Sequence, residues 1–392
     1  MIRSELKDIF LSLVRLGIGH QLVSGFKFQD SSEVNWVQLK ALADQHGLSA
    51  VVLDGLNEVR SKRSDVRSKC YPSQQFTLQW IGEVMQNYEQ RYVQYENAIA
   101  SLAGWYNTHG YKMMVLKGYA CSIDWPKPEH RPCGDIDIWL FGQQEAADKE
   151  LVSSFRFQDS STSEATKSSA NFKIDTGHHH HTVFEWEGFT VENHYDFLNV
   201  HHHKSNIEME LILKDLGKDD SHFVELNGDT STDSVSKVYL PSANLHALFL
   251  LRHSMSNFAS TGFQLRQLLD WAFFVEKHGE EIDWKWLECQ LEHFGMKKLY
   301  DVFNAICVDD LGFDVKLFPQ VQFQLQLKNR VLNDILTPEF SEKESGGFIS
   351  RAVFKYRRWK ANEWKHELCF NDSLWSAFWS GVWGHLMKPG MI

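Results

Sequence analysis

The sequence predicts an α+β protein in which a short-stranded β core lies between helical regions. Residues 1–110 carry apolar side chains at helical spacing. Tyr111 to Phe141 and Thr182 to Phe197 instead show the short apolar runs and alternation of strands, and helical spacing returns after Ser242. These changes predict four regions: an N-terminal helical region packed on the core (1–110), the core (111–226), a second helical region (237–338) and an aromatic-rich helical tail (348–392).

Length, charge and cysteine spacing limit the function classes. A chain of 392 residues buries a large core, and its net charge of −11 argues against broad electrostatic binding to nucleic acid, although a local basic patch is compatible with it. The six cysteines lack C-x-x-C spacing, which favours reduced thiols over disulfides or a zinc framework. No signal-peptide pattern and no transmembrane-length apolar run is found, so we expect a cytoplasmic protein without a transmembrane segment.

The N-terminal region is predicted to contain three helices, over Glu5–Leu16, Asn35–His46 and Phe76–His109. The third has aromatic and aliphatic residues alternately three and four positions apart, which places one stripe against a core, and Gly110 ends it. An independent helical domain that binds a partner is the alternative interpretation of this region.

A glycine turn and a D-x-D strand follow. The apolar run Met113–Leu116 ends in Lys117-Gly118, and Gly134-Asp135-Ile136-Asp137 comes shortly afterwards. Because strand side chains alternate between faces, Asp135 and Asp137 share one face. Two carboxylates so close destabilise a fold unless a cation offsets them, which predicts a Mg²⁺ site. The alternative is that both lie on the solvated face of a half-exposed strand.

Positive charge and backbone N–H groups near this strand suit phosphate. The start of a helix after the glycine offers N–H groups, and Lys117 and Arg131 add positive charge. An apolar strand, a glycine turn and then D-x-D is the order expected of a site that holds a nucleoside triphosphate through metal.

These residues resemble the nucleotidyltransferase superfamily, which has the fold of DNA polymerase beta. Leu116-Lys117-Gly118, Arg131 and Gly134-Asp135-Ile136-Asp137 are similar to the LKG and R-x-x-GDIDI motifs of an uncharacterised bacterial nucleotidyltransferase family. The superfamily usually has Gly-Ser or Gly-Gly where Lys117-Gly118 stands here, a departure that the close family shares. The resemblance implies a small mixed β-sheet catalytic core, a third carboxylate on a neighbouring strand, and phosphate binding by Lys117, Gly118 and Arg131.

The third carboxylate is expected in a predicted hairpin, Thr182–Trp186 and Phe189–Phe197, turning at Gly188. The family's V-E-x-H motif is matched by Val191-Glu192-Asn193-His194. The resemblance thus implies that Glu192 binds the catalytic metal or accepts the proton of the attacking hydroxyl. His194, on the same strand face, is a candidate phosphate or substrate contact. Both residues could instead be ordinary exposed strand residues, and a shifted register would substitute Glu185 or Glu187.

Two histidine runs, His178–His181 and His201–His203, flank the second strand of this hairpin. A dedicated transition-metal site is one interpretation of the first run. Since consecutive residues of a strand point to opposite faces, at most two of these histidines would share an ion. A solvated start of a strand, or one histidine that reaches a substrate phosphate, are the alternatives. The polar segment Gln158–Ser169 before the run is predicted to be a loop.

The second helical region is expected to shape the substrate pocket, as such domains do in nucleotidyltransferases. Ser242 caps a helix over Ala243–Ser254, and a strongly amphipathic helix covers Phe263–His278. The LR-x-L-x-D pattern in the second helix also resembles the family. Candidate substrate contacts are Arg252, His253 and Arg266. The alternative is that they are surface charges, with Arg266 and Asp270 paired at i,i+4.

The tail after the predicted linker Glu339–Gly347 is rich in tryptophan. Trp375, Trp379 and Trp383 fall on one face of a helix, after a basic and aromatic stretch over Phe354–Lys365. Packing against the body, self-association or a protein partner, and peripheral membrane contact are the three interpretations.

Together these features predict a Mg²⁺-dependent nucleotidyltransferase that moves an NMP group from an NTP to an acceptor hydroxyl. Two metal ions are expected, with Mn²⁺ as a substitute for Mg²⁺, held by Asp135, Asp137 and Glu192. Two other functions remain open. One is a non-catalytic protein on the same fold that binds a nucleotide or a partner, and the other is a toxin-like nucleotidyltransferase that acts on transfer RNA or on a protein. These interpretations leave three classes of acceptor open: a small molecule, a protein or an RNA.

Overall fold

The computed structural model describes residues 4–21, 34–61, 71–158, 172–201, 203–227, 235–260, 262–319, 322–340, 347–373 and 375. These residues form an α+β protein with one mixed six-stranded sheet, and helical segments precede and follow the sheet in the chain, as predicted. The chain divides into two compact units. The sheet unit comprises Tyr92–Ile123, Cys133–Phe249 and Asp372–Ile392, and the helical unit comprises Met1–Arg91, Asp124–Pro132 and Leu250–Asn371.

The sheet has the order β3-β4-β2-β1-β6-β5. Its strands are β1 (Met114–Val115), β2 (Ile136–Trp139), β3 (His181–Trp186), β4 (Phe189–His194), β5 (Phe223–Asn227) and β6 (Val235–Tyr239). The pairs β2–β4 and β1–β6 are parallel, whereas β1–β2, β3–β4 and β5–β6 are antiparallel. The sheet is therefore mixed, as the resemblance implied.

The helices within the sheet unit bury one face of the sheet. Those on this face are α5 (Arg91–Thr108, from Tyr92 onward), α6 (Gly118–Ser122) and α7 (Gln144–Gln158), and the unit also contains α8 (Lys204–Leu216). One core cluster joins residues of α5 and α7 to Ile136, Ile138 and Val191. Because strand side chains alternate, Asp137, which lies between Ile136 and Ile138, and Glu192, which follows Val191, are on the opposite face. Burial of the apolar face thus determines which face carries the acids.

The predicted hairpin is confirmed by the pairing of β3 and β4. Trp186 pairs with Phe189, which leaves Glu187 and Gly188 as a two-residue turn. Both turn residues have positive φ, 48° and 82°, as a turn that matches the twist of a hairpin requires. The turn fixes the register of β4 and hence the positions of Glu192 and His194.

The helical unit contains the remaining described helices. They are α1 (Ser4–Gly17), α2 (Trp36–Gln45), α3 (Ser49–Ser61), α4 (Gln74–Val84), most of α9 (Ala243–Ala259), α10 (Leu265–His278), α11 (Trp284–His293), α12 (Lys297–Asp309), α13 (Leu325–Leu336), α14 (Phe348–Ala361) and α15 (Glu363–Cys369). Helix α12 is buried continuously from Leu299 to Cys307 and packs with α10, α11, α13 and α15. The predicted helix over Phe76–His109 is divided between α4, a π-helical segment (Met85–Gln90) and α5.

Several predictions fall partly or wholly outside the described residues. The loop over Gln158–Ser169, the helix face of Trp379 and Trp383, and much of the linker Glu339–Gly347 belong to this group. Self-association through the tryptophan-rich tail therefore stays a prediction. Among the described helices, none combines the length and the apolar character that a membrane span requires.

Candidate active site

The Lys117-Gly118 turn joins β1 to α6 in a constrained backbone conformation. Lys117 has φ 38° and ψ −114°, a sparsely populated region for a residue with a side chain, where strain is about 1–3 kcal/mol. Gly118 has no room for a larger residue, because a Cβ there would lie 2.5 Å from the Tyr95 hydroxyl oxygen. That hydroxyl donates to the backbone carbonyl of Asp135 (2.9 Å). The turn and the start of the D-x-D strand are thus held together through Tyr95.

Asp137 is the buried centre of the acidic face. Its Oδ1 lies 2.7 Å from Lys117 Nζ and 3.0 Å from His194 Nε2. Burial opposes ionisation of Asp137, but the charge of Lys117 and the hydrogen bond from His194 hold its pKa well below the usual range. Burial also opposes charge on Lys117, whose pKa is nevertheless raised by Asp137. Asp137 is therefore an ionised carboxylate held between the Lys117 ammonium group and the His194 imidazole.

His194 is oriented from both ring nitrogens. Its Nδ1 lies 3.1 Å from the backbone oxygen of Asp196, and its Nε2 lies 3.7 Å from Glu192 Oε2 in addition to the Asp137 contact. Both Asp137 and Asp196 offer acceptors, so both ring nitrogens donate when the imidazole is protonated. Burial opposes this charge, yet the hydrogen bond to Asp137 and the nearby Glu192 carboxylate raise the pKa of His194.

Glu192 lies beside Asp137 across the parallel strands. The register pairs Asp137 with Glu192 and Ile136 with Val191. Asp135 is exposed just before β2, where partial burial, with repulsion from Glu192 and Asp137, raises its pKa. The structure thus brings the three predicted carboxylates to one face of the sheet.

The two competing acids occupy other positions of the hairpin, although Glu185 contributes to the raised pKa of Asp135. Glu185 is exposed and pairs with Thr190, whose hydroxyl donates to its carboxylate (2.9 Å). Glu187 is in the turn and accepts a hydrogen bond from Ser101 (2.7 Å). The observed register therefore favours Glu192 as the neighbour of Asp137.

The predicted contacts Arg131, Arg252, His253 and Arg266 all belong to the helical unit. Arg131 is buried against Asp270 of α10. Arg252 is buried, with its guanidinium over the Phe370 ring and a hydrogen bond to the Cys369 carbonyl (3.3 Å). His253 contacts the Asn257 side chain (3.1 Å).

Arg266 and Asp270 do not form the surface ion pair that their i,i+4 spacing suggested, because each has other hydrogen-bond partners. Arg266 donates to the Gln264 side chain (2.8 Å) and to the Pro132 carbonyl (3.3 Å). Asp270 is buried and accepts from Arg131 and Trp125. Packing of α10 against the Asp124–Pro132 segment accounts for the difference, because it turns Asp270 inward.

Among the described residues of the sheet unit, two groups of side chains have the composition and spacing of metal ligands. Asp137, Glu192 and His194 form one group, and His180, His181 and His194 form the other, each with ligand atoms within 4.8 Å of one another. The first group contains two of the three predicted acids. For the second, the sequence offered a transition-metal site in the first histidine run as one interpretation, but it did not include His194, because that depends on how the run meets the end of β4.

Comparison with known families matches residues 32–308 to the family described as uncharacterised nucleotidyltransferase. Comparisons with curated proteins and with solved structures found no match. The matched segment covers well over half of the chain and includes all three carboxylates. The chain therefore belongs to the uncharacterised nucleotidyltransferase family and is a transferase enzyme of that class.

Proposed function

We propose that this nucleotidyltransferase uses Mg²⁺ to transfer an NMP group from an NTP to an acceptor hydroxyl. The observation that carries the proposal is the registered pair Asp137 and Glu192, with Asp135 just before β2 and near enough to be repelled by both carboxylates. Lys117 offsets one of these negative charges through its ion pair with Asp137. A face with this excess of carboxylate oxygens suits hard divalent cations such as Mg²⁺, with Mn²⁺ as a substitute.

The three carboxylates would hold the metal, and we expect two ions as in related two-metal sites. Bound there, the ions would supply charge stabilisation for the attacking and leaving oxygens. The acceptor oxygen forms a bond to the α-phosphorus as the bond to the pyrophosphate oxygen breaks. Glu192 is half-buried, and it would act as a metal ligand or accept the proton that the hydroxyl loses.

Lys117 would have a second role when a cation is bound. In the structure its ammonium group neutralises Asp137. A metal ion on Asp137 would take over this neutralisation, which frees the Lys117 ammonium group for a phosphate oxygen. The strained backbone at Lys117 and the absence of a side chain at Gly118 keep this turn close to Asp135, where phosphates would pass.

The remaining predicted roles rest on the resemblance. Arg131 as a phosphate contact, His194 as a substrate contact, and Arg252, His253 and Arg266 as parts of a substrate pocket stay predictions. The contact of His194 with Asp137 supports a positioning role for this histidine, in addition to the predicted one. The net charge of −11 supports a small-molecule or protein acceptor over RNA.

Titration of the protein with each of the four NTPs, with and without Mg²⁺, tests the proposal. We expect Mg²⁺-dependent binding of one NTP that Asp135→Asn and Glu192→Gln weaken at least tenfold. Asp135 is exposed and Glu192 is half-buried, so both variants should fold, which circular dichroism checks. Glu187→Gln in the turn of the same hairpin is the matched control and should bind normally. Equal binding in all variants, or none in the wild type, would contradict the proposal.

A further inference from the structure

We infer that His180, His181 and His194 form a binding site for a divalent transition cation of the zinc class, next to the carboxylate site and sharing His194 with it. One imidazole nitrogen from each residue lies within 4.8 Å of the others. The rings converge in pairs, with centroids 4.3 Å apart for His180 and His181, 5.4 Å for His180 and His194, and 5.2 Å for His181 and His194.

The backbone produces this convergence. His181 is the first residue of β3 and pairs directly with His194, the last residue of β4. The carbonyl of His180 accepts from the N–H groups of both Tyr195 (3.0 Å) and Asp196 (3.1 Å). His180 precedes the strand, so it is not subject to strand alternation, and its ring lies at 79° to that of His181. Two consecutive histidines therefore meet the same third histidine.

Two of the ring nitrogens are buried without a hydrogen-bond partner. Among the described residues, neither His180 Nδ1 nor His181 Nδ1 has such a partner. His181 is 7% exposed. Its Nδ1 lies 3.8 Å from Glu192 Oε2, which is beyond hydrogen-bond distance. A buried imidazole nitrogen without a partner costs free energy. A metal ion that accepts these lone pairs would remove that cost.

The third ligand is oriented as metal-bound histidines usually are. The Nδ1 of His194 lies 3.1 Å from the Asp196 carbonyl oxygen, which leaves Nε2 as the ligand atom. Nε2 lies 3.0 Å from Asp137 Oδ1, and a bound cation would replace this hydrogen bond. A ring nitrogen bonded to a carbonyl in this way fixes the tautomer and the ring direction of a ligand histidine. His194 is buried, so this orientation is maintained by its surroundings.

Three imidazoles select the class of metal. Imidazole suits zinc, cobalt, nickel and copper, whereas Mg²⁺ prefers oxygen ligands. Three protein ligands with a fourth position open to water or substrate are the arrangement of catalytic zinc sites. Nitrogens bound tetrahedrally at about 2.0–2.1 Å would lie about 3.4 Å apart. Side-chain movements on the order of 1 Å would therefore close the site.

Cobalt(II) is a suitable probe because its visible spectrum reports coordination geometry. The full-length protein, purified without a histidine tag, is titrated with Co²⁺ and then with Zn²⁺ in competition. We expect one equivalent of Co²⁺ with the intense bands of tetrahedral coordination, displaced by Zn²⁺ and not by Mg²⁺. His180→Asn and His181→Asn should each weaken the affinity at least tenfold. His180 is only half-buried, so its variant remains informative if His181→Asn fails to fold.

The matched control is His178→Asn, in the same run but largely exposed and outside the group. It should retain the tetrahedral spectrum. Equal loss in all three histidine variants, or weak spectra of six-coordinate Co²⁺, would overturn the inference. Asp135→Asn separates this site from the proposed function. It should lose Mg²⁺-dependent NTP binding and keep the Co²⁺ spectrum, whereas His180→Asn should do the reverse.

Discussion

Arg131 and Asp270 form a buried, two-point ion pair. Arg131 Nε lies 2.7 Å from Asp270 Oδ1 and Nη2 lies 3.0 Å from Oδ2, although 139 positions separate the two residues. Each belongs to a motif that resembles the nucleotidyltransferase family, Arg131 to R-x-x-GDIDI and Asp270 to LR-x-L-x-D. Trp125 also donates to Asp270 Oδ1 (2.9 Å). The pair thus attaches the Asp124–Pro132 segment to α10 within the helical unit.

Breaking this pair should destabilise the protein. Arg131→Met or Asp270→Asn leaves one buried charged group without its partner, which typically costs about 3–5 kcal/mol. The double variant Arg131→Met/Asp270→Leu should lose less free energy of unfolding than the two single variants lose in sum. Urea denaturation measures each free energy of unfolding. A role for Arg131 in phosphate binding alone would leave unfolding unchanged in Arg131→Met and weaken only NTP binding.

Gly118 should tolerate alanine only when the Tyr95 hydroxyl is removed. A Cβ at Gly118 would lie 2.5 Å from that oxygen, so Gly118→Ala should destabilise by about 1–3 kcal/mol through overpacking. Tyr95→Phe alone loses the hydrogen bond to the Asp135 carbonyl, about 0.5–1.5 kcal/mol.

The double variant Gly118→Ala/Tyr95→Phe tests the steric explanation. Since phenylalanine lacks the oxygen, the clash disappears. The free energy of unfolding of the double variant should therefore lie within a few tenths of a kcal/mol of that of Tyr95→Phe, on the scale of neutral substitutions. Thermal and urea denaturation of the four proteins complete the cycle. Additive losses would show that the clash with Tyr95 is not the cause.

Local patterns were sufficient for the strands and their faces, and insufficient for the long-range contacts. Alternation placed Asp135 and Asp137 on one face, and the Glu187-Gly188 turn set the register of Glu192. The ion pair of Lys117 with Asp137 depends on a positive φ at a lysine, for which the sequence contains no signal.

Partners from distant segments were likewise not predictable. Asp270 was expected to pair with Arg266 on the helix surface, because i,i+4 spacing is the only relation visible locally. Asp270 instead pairs with Arg131, because the Asp124–Pro132 segment packs on α10. The convergence of His180 with His194 has the same origin, since it depends on hydrogen bonds between two segments of the hairpin.

Lys117→Met should make stability depend more strongly on Mg²⁺. Without the ammonium group, Asp137 is a buried carboxylate whose remaining close contact in this group is the His194 imidazole. We therefore expect the variant to be destabilised by several kcal/mol in the absence of metal, on the order of a broken buried pair. A divalent cation that binds Asp137 would restore part of this stability.

Thermal denaturation with and without Mg²⁺ measures the effect. The increase in Tm on addition of Mg²⁺ should be larger in Lys117→Met than in the wild type. Lys112→Met, which removes an exposed lysine from the start of the same strand region, is the control and should respond like the wild type. An identical response in Lys117→Met would argue against cation binding at Asp137.

His278 should stabilise the helical unit at neutral pH and lose this effect in alkaline solution. Its Nε2 lies 3.1 Å from Asp124 Oδ1 and its Nδ1 lies 2.9 Å from Glu281 Oε1. The hydrogen bond to Asp124, with that to Glu281, raises the pKa of His278 to about 9. Because the folded protein holds the proton more tightly than the unfolded chain, the stabilisation is complete below pH about 6.5 and disappears as the pH rises through 9.

The variant His278→Asn should therefore differ most from the wild type at pH 6 and least at pH 10. Urea denaturation across this range measures the difference in the free energy of unfolding. Because Asp124 is buried and its bond to His278 is the largest contribution, the same comparison in an Asp124→Asn background should lose most of its pH dependence. A difference that stays constant from pH 6 to pH 10 would mean that packing of the ring, and not its charge, accounts for the contribution of His278.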